Sequence, residues 1–326
     1  MSETTIAAGT QPRARPKGNI FLRIGPVYYA LVTILAIGTI SQPTFLTLRS
    51  VRNILVSATP WSIATIGQTV VILTAGIDLS VGPVISMTNV IAADLMKKYP
   101  EQAILIILLC LAAGLMVGIV NGLAVAYLRL NPFIITLATG TAVQGLALEI
   151  MYQPSGMVTS GFRQVSRGTL GPIPYAVGYL LILYLVGSYI LKRTPYGLSI
   201  YAVGGNETSA RLSGIRTKRI LLSVYAISGL LATCAGLFIA SRIGSGDPLV
   251  GEPYALDSIT AAVLGGASLF GGVGDLWGGL AGALIIAILS TLLNMNNINP
   301  FYQWIIKGAI LIGALAIDFF RKGGRQ

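Results

Sequence analysis

The chain has no histidine in 326 residues. That removes His-based metal sites, Ser-His-Asp chemistry and the H-E-x-x-H helix of metalloproteases. Cysteine is nearly absent too. Cys110 and Cys234 both lie inside apolar runs and read as packing residues, with no case for a disulfide. Charge is scarce at 10% of residues, where a soluble domain carries about a quarter. No Gly-Lys-Ser/Thr ending follows any glycine-rich stretch, so the chain cannot hydrolyse ATP through a Walker loop and binds no nucleotide cofactor by that route. With no paired catalytic acids either, an enzyme is a distant reading.

What fills the sequence is apolar: 54% hydrophobic residues and a mean hydropathy of +0.77. This composition predicts an all-α, polytopic transmembrane protein. The 39 glycines fit closely packed spans, because small residues let helix backbones approach. The net charge of +11 does not imply a nucleic-acid partner. In a membrane protein surplus Lys and Arg gather in cytoplasmic loops, and lipid is the surrounding partner.

Apolar runs of spanning length predict about ten spans, near 25–44, 54–74, 83–98, 103–128, 133–151, 174–191, 220–240, 255–270, 276–294 and 302–320. The third and eighth are short. With the N-terminus in the cytoplasm, 14 Lys and Arg fall inside and seven outside, and Lys307 lies within the last span. Both termini are then cytoplasmic. The expected organisation is a polar tail at 1–23, a single transmembrane domain at 24–320 and a short tail at 321–326. Residues 1–19 read as a tail rather than a cleaved signal, since no small-residue cleavage site follows a suitable apolar region.

Two short strings repeat at nearly one offset. Asp78-Leu-Ser-Val-Gly82 matches Asp247-Pro-Leu-Val-Gly251 at Asp, Val and Gly, 169 residues on. Asn131-Pro-Phe133 matches Asn299-Pro-Phe301, 168 residues on. The topology puts the members of each pair on opposite sides of the membrane. Spans 2–5 are therefore expected to mirror spans 7–10 as an inverted repeat, an arrangement that puts a substrate path at the repeat interface.

The longest polar segment between spans is Thr194–Arg219. It predicts one short capped helix: Asn206 as N-cap, Glu207 in the first turn, Gly214 at C′. Two turns are marginal alone in water. With Arg211, Arg216, Lys218 and Arg219 around it, the helix is a candidate dock for a cytoplasmic ATPase. The plainer reading is a basic cytoplasmic loop.

Two glycine-bearing breaks interrupt apolar sequence. In Thr74–Gly82, Gly76 and Gly82 permit unusual backbone angles, and Asp78 or Ser80 can cap the next helix. In Gly265–Asp275, Gly265, Gly266, Gly271 and Gly272 suggest close packing or a re-entrant turn. Both are hinge candidates. Gln68, Asn89, Asn121, Thr136, Thr139 and Gln144 are polar positions within spans. They could line a path for a neutral, hydroxyl-rich solute, or serve as interhelical glue. Asp94, Glu149 and Asp318 sit near span ends, and Lys307 is expected to snorkel outward. No buried ionic relay is expected, which argues against a self-powered carrier.

Four strings together resemble a known family: Ala75–Gly82 (AGIDLSVG), Asn131–Leu137 (NPFIITL), Tyr201–Ile215 (YAVGGNETSARLSGI) and Gly265–Gly272 (GGASLFGG). They look like the ribose/xylose/arabinose-type permeases of bacterial ABC importers, over about 24–320 and in the same order. Thr74-Ala75 stands where many members carry Gly-Gly or Ala-Gly. The resemblance implies ten spans in the inner membrane and a second permease copy, identical or paralogous. It also implies ATPase subunits that bind the ATP, and a periplasmic sugar-binding protein docking on 152–173 and 241–254. Asn206, Glu207, Ala210, Arg211, Gly214 and Ile215 would form the coupling helix. A branched-chain amino-acid permease shares the architecture, and a stand-alone carrier or channel is the other alternative.

Overall fold

The computed structural model describes residues 26–323. The N-terminal tail, with Arg13, Arg15, Lys17 and Arg23, and residues 324–326 lie outside the described residues. The chain folds as α1 (Pro26–Ser41), α2 (Leu48–Leu73), α3 (Val81–Lys98), α4 (Ala103–Ala126), α5 (Pro132–Ile150), α6 (Ser160–Arg167), β1 (Thr169–Leu170), β2 (Ile173–Pro174) and α7 (Tyr175–Arg193). It continues through α8 (Pro195–Gly205), α9 (Glu207–Leu212), α10 (Thr217–Ile243), α11 (Glu252–Leu264), α12 (Leu276–Met295) and α13 (Pro300–Gly323). Each of the ten apolar runs carries a helix, and the eighth leaves its helix at Leu264, ahead of the glycine-rich break. Among the described residues, six helices are long and apolar enough to cross a membrane: α2, α4, α5, α7, α10 and α12. Shorter apolar helices cover Val27–Ser41 and Phe301–Gly313. The molecule is a polytopic helical membrane protein.

Local signals account for the boundaries. Asn131 and Thr47 each accept a backbone N–H at the start of α5 and α2, satisfying donors that a helix start leaves free. α13 runs to Gly323, through the first residues of the expected tail. α2 carries Pro60 in its interior, where Tyr184 of α7 donates its O–H to the carbonyl of Ser62 at 3.0 Å.

The two longest helices, α2 and α10, form the centre. α10 packs on α2, α3 and α4; α2 packs on α10, α11 and α12. α3 also packs on α5, and α11 on α13. The α4–α10 seam is close because α4 presents Gly114, Gly118 and Gly122 at four-residue spacing. A Cβ on Gly118 would stand 2.4 Å from the Tyr225 carbonyl oxygen. Cys110 is buried and Cys234 partly so, and both are free thiols.

Candidate functional site

The segment 194–219 holds two helices, not one. Thr194 accepts from the Gly197 N–H at 3.2 Å and Pro195 occupies the first turn, which starts α8. The sequence gives no sign of α8, because its run, Pro195–Gly205, has three glycines and no charge to mark a face. The expected short helix is α9. Asn206 Oδ1 accepts from Ser209 N–H at 2.8 Å, and Gly214 has φ +86° where the chain turns out of the helix. Ala210 is buried against Ala126, Val203 and Leu221, with Ile215 beside them. Thr208, Ser209, Arg211 and Leu212 face out, and Leu212 is 83% exposed.

α9 is tied to the rest by charge. Arg129 Nη1 donates to Glu207 Oε2 at 2.7 Å and to Oε1 at 2.8 Å, and Thr217 Oγ1 donates to Oε1 at 3.0 Å. Burial would push the Glu207 carboxyl up. The hydrogen bonds from Arg129 and Thr217, with the charges of Arg129 and Arg211, outweigh it and hold the group below the usual glutamate value.

The six polar span residues gather at two places. Gln68, with its amide turned to match its partners, donates to the Asp78 carbonyl at 3.0 Å and accepts from the Asp78 N–H at 3.3 Å. Asn121 donates to Ser80 Oγ at 2.9 Å and accepts from Thr139 Oγ1 at 2.6 Å. Thr136 Oγ1 accepts from Leu79 N–H at 3.1 Å. Asn89 accepts from Asp247 N–H at 2.6 Å and donates to the Ser245 carbonyl at 3.3 Å. Gln144 donates to the Pro248 carbonyl at 2.7 Å. Five of the six thus bond directly to one of two non-helical stretches, 77–80 or 245–248, and Thr139 reaches the first through Asn121. Backbone that leaves the helix at membrane depth must find partners inside the protein.

Asp78 does not cap α3 as expected. It is buried and sits two residues before the N-cap Ser80, whose side chain makes no capping bond. Asp78 Oδ1 accepts from the Ser80 N–H at 3.0 Å and the Ser80 O–H at 2.6 Å; Oδ2 accepts from Ser228 Oγ of α10 at 2.7 Å. Local spacing suggested a cap, but the buried carboxylate is satisfied across helices. Asp247 makes the same i to i+2 turn, accepting from Leu249 N–H at 2.9 Å. Asn131 and Asn299 likewise each accept from the N–H two residues on, at 2.9 Å and 3.0 Å.

The glycine-rich break after α11 closes onto the first break. Gly272 N–H donates to the Leu73 carbonyl at 2.9 Å, and Tyr201 of α8 donates its O–H to the Gly274 carbonyl at 2.9 Å. The end of α8 joins them: a Cβ on Gly204 would fall 1.7 Å from the Leu73 carbonyl oxygen. Lys192 Nζ pairs with Asp275 Oδ1 at 2.7 Å on the rim of this junction. The polar segment and both breaks therefore meet at one point.

Lys307 does not snorkel. It is 8% exposed, and its Nζ lies 2.6 Å from Oδ2 of Asp257, also buried. The ammonium stands 4.8 Å from the Trp61 ring centroid, and Trp61 stacks on Tyr254 at 3.7 Å. Asp257 is not among the sequence candidates, although an acid inside a run such as Ala255–Leu264 is itself a signal. Asp94 pairs with Lys98 at 2.7 Å, Glu149 is exposed, and the Asp318 side chain lies outside the described residues. The Asp257–Lys307 pair lines a cavity of about 210 Å³ with Glu252, Thr260 and Trp304. Beside it runs a groove of about 720 Å³ between α3, α5 and α11, lined by Gln144, Thr141, Pro83 and Leu249. Glu252 and Leu256 belong to both.

The expected external loops are stitched together. Ser155 and Gly246 exchange backbone hydrogen bonds at 3.0 Å and 2.7 Å, and Val158 N–H donates to the Gly244 carbonyl at 3.2 Å. α6 packs on α10, and the β1–β2 ribbon packs on α2, whose Arg52 donates to the Pro172 carbonyl at 2.8 Å.

Residues 50–315 match the family described as branched-chain amino acid transport system / permease component. The chain is 39% identical over 298 residues to the ribose import permease protein RbsC of Haemophilus influenzae, covering 89% of this chain and 91% of the relative. It is 37% identical over 318 residues to the galactose/methyl galactoside import permease protein MglC of Escherichia coli, covering 91% and 94%. RbsC of Bacillus subtilis is 36% identical over 304 residues, covering 92% and 93%. These relatives are of the kind the four sequence strings resemble. With the family match spanning most of its helices, the chain belongs to the branched-chain amino acid transport system / permease component family.

Proposed function

We propose that this chain is the membrane-spanning permease subunit of an ATP-driven importer of a monosaccharide. The observation that carries the reading is its end-to-end similarity to import permeases named for ribose and galactose. The family's own description names branched-chain amino acids instead. Similarity to sugar permeases over about nine-tenths of the chain outweighs that broader label. ATP is bound and hydrolysed by a partner ATPase, and a periplasmic binding protein delivers the sugar. The chain acts in the bacterial inner membrane.

Several finer features belong to this proposal. Residues 24–320 form one permease domain of ten spans, with both termini cytoplasmic. Spans 2–5 and 7–10 are inverted copies. Support comes from the paired turns at Asp78 and Asp247, the paired helix starts at Asn131 and Asn299, and the reciprocal packing of α2 and α10. A second permease copy faces the groove between α3, α5 and α11, where Gln144 fronts the path.

α9 is the coupling helix. Its outward Arg211 and Leu212 are suited to a groove on the ATPase, and its inner face is fixed through Ala210 and Glu207. Movement then passes along α8 to the glycine junction at Gly204, Leu73 and Gly272, which touches both halves. ATP energy enters only through contacts that differ between the two states. The two stitched loops at 152–173 and 241–254 receive the binding protein.

The test is reconstitution with the ATPase and the binding protein. ATP-dependent uptake of ribose or galactose, and no uptake of leucine, supports the reading. Arg211→Glu should abolish uptake and the stimulation of ATPase while the permease still inserts. Uptake without any ATPase would overturn the proposal in favour of a stand-alone carrier.

A further inference from the structure

We infer that the cavity between α11 and α13 is a seat for a neutral, polyhydroxylated ligand, formed by Asp257, Lys307 and Trp304. The inference rests on the sugar-permease reading and assigns to it a binding place on this chain.

The ion pair is not explained by the scaffold. A buried pair is a poor source of stability, because desolvation offsets most of the attraction. In a membrane, buried charge is costly and marks function by default. The pair also stands in one half only. At the repeat offsets, Asp257 and Lys307 occupy the positions of Thr88 and Thr139 in the first half. The same kind of helix packing is achieved there with neutral side chains, and Thr139 bonds to Asn121 instead. A feature required by the architecture would appear twice.

The chemistry of the walls selects a ligand. An ammonium has three N–H donors. Among the described residues the only hydrogen bond from Lys307 goes to Asp257, and its other near neighbour is the Trp61 ring. A sugar hydroxyl both donates and accepts. It can bridge carboxylate and ammonium while leaving them paired, so no charge is stranded. A zwitterion would have to split the pair to engage both charges. Trp304 adds a broad apolar ring, about half exposed and steadied edge-on by Phe301 at 6.0 Å. One face apolar and the other lined by convergent polar groups is how small-molecule pockets achieve specificity. The volume of about 210 Å³ is small enough for a single small solute, and the shared Glu252 and Leu256 connect it to the larger groove.

The test uses the full chain reconstituted with its ATPase and binding protein, and the chain alone in lipid nanodiscs. Saturation-transfer NMR with D-ribose, D-galactose and L-leucine reads the seat directly. The expected result is transfer to a sugar but not to leucine, lost in Trp304→Leu and in Asp257→Asn. Trp304→Leu should slow sugar uptake about threefold to tenfold, the range an aromatic contact supplies. ATPase stimulation by the loaded binding protein should persist, which a merely damaged fold would not allow. If Asp257→Asn fails to insert, the half-exposed Trp304 and the rim variant Glu252→Gln carry the test. Sugar uptake and sugar transfer at normal levels in both of these would overturn the seat and leave the permease reading standing. A wild-type complex that imports no sugar would overturn the permease reading, and the seat with it.

Discussion

Gly82 and Gly251 touch through their backbones. A Cβ on Gly251 would lie 2.0 Å from the Gly82 carbonyl oxygen, and one on Gly82 would lie 2.6 Å from that of Gly251. They are the final residues of the two matched Asp-x-x-Val-Gly strings, so the chain meets its own counterpart where α3 and α11 begin. Ser86 secures the contact by accepting the Gly251 N–H at 2.9 Å. No side chain fits. Gly251→Ala should force the two helices apart and destabilise by about 1–3 kcal/mol, the usual cost of overpacking. Gly178→Ala on α7, where a Cβ meets nothing within 4 Å, should be neutral or slightly stabilising. Thermal unfolding in detergent compares them.

Removing one partner of the Asp257–Lys307 pair strands the other in a buried site. Lys307→Met alone should cost about 3–5 kcal/mol, and Asp257→Leu with Lys307→Met should recover most of it. A double-mutant cycle on unfolding midpoints measures the coupling. Equal midpoints for single and double variants would show that the pair is not buried in the membrane-embedded protein.

Adjacent glycines at the end of α8 should behave differently. Gly204→Ala collides with the Leu73 carbonyl and the Gly272 amide, while a Cβ on Gly205 meets nothing within 4 Å. Gly204→Ala is expected to cut ATP-driven uptake at least tenfold and lower stability by about 1–3 kcal/mol. Gly205→Ala should leave uptake near normal. Transport assays on the two variants, normalised to inserted protein, decide it.

The hold on α9 depends on pH. Glu207 titrates below the usual glutamate value in the folded protein. Its contribution is therefore complete above the unfolded value, near 4.3, and is lost as pH falls through the lower folded value. Hydrogen exchange of the 207–212 amides should stay slow, allowing for intrinsic rates, from neutral pH down to the ordinary glutamate value and lose protection only as pH falls below it. Glu207→Gln should remove the pH dependence while keeping the Asn206 cap. Arg129→Ala should shift the loss of protection upward.

Asp78 is the hub of the first break. Asp78→Ala strips acceptors from Ser80 and Ser228 together, and should cost about 2–4 kcal/mol, since each stranded buried donor costs about 1–3 kcal/mol. Ser228→Ala removes one donor and should cost about 1 kcal/mol. Denaturant or thermal midpoints that rank the two variants the other way would contradict the network.

Much of this architecture is legible along the chain. Apolar runs marked each long helix because a span needs many consecutive apolar residues, and that signal is local. The α9 cap was legible for the same reason: Asn206 and Gly214 act within one turn of themselves. α8 was not, because three glycines and an uncharged face give no periodic signal. Gln68, Asn89, Asn121, Thr136, Thr139 and Gln144 were visible as polar residues in spans, but not their shared destination. Their partners lie up to 158 residues away, as in the bond from Asp247 to Asn89.

By itself the sequence determined a helical membrane protein with no catalytic centre of a recognised kind, a repeated pair of turns and a capped basic arm. These follow from composition and from hydrogen bonds between near neighbours, which any stretch of chain carries with it. Tertiary structure alone decided that Lys307 meets Asp257, that Asp78 bonds to Ser228, and that Gly204, Leu73 and Gly272 share one junction. Such contacts are set by which helices pack together, and in a medium without water every buried polar group must take whichever partner that packing supplies.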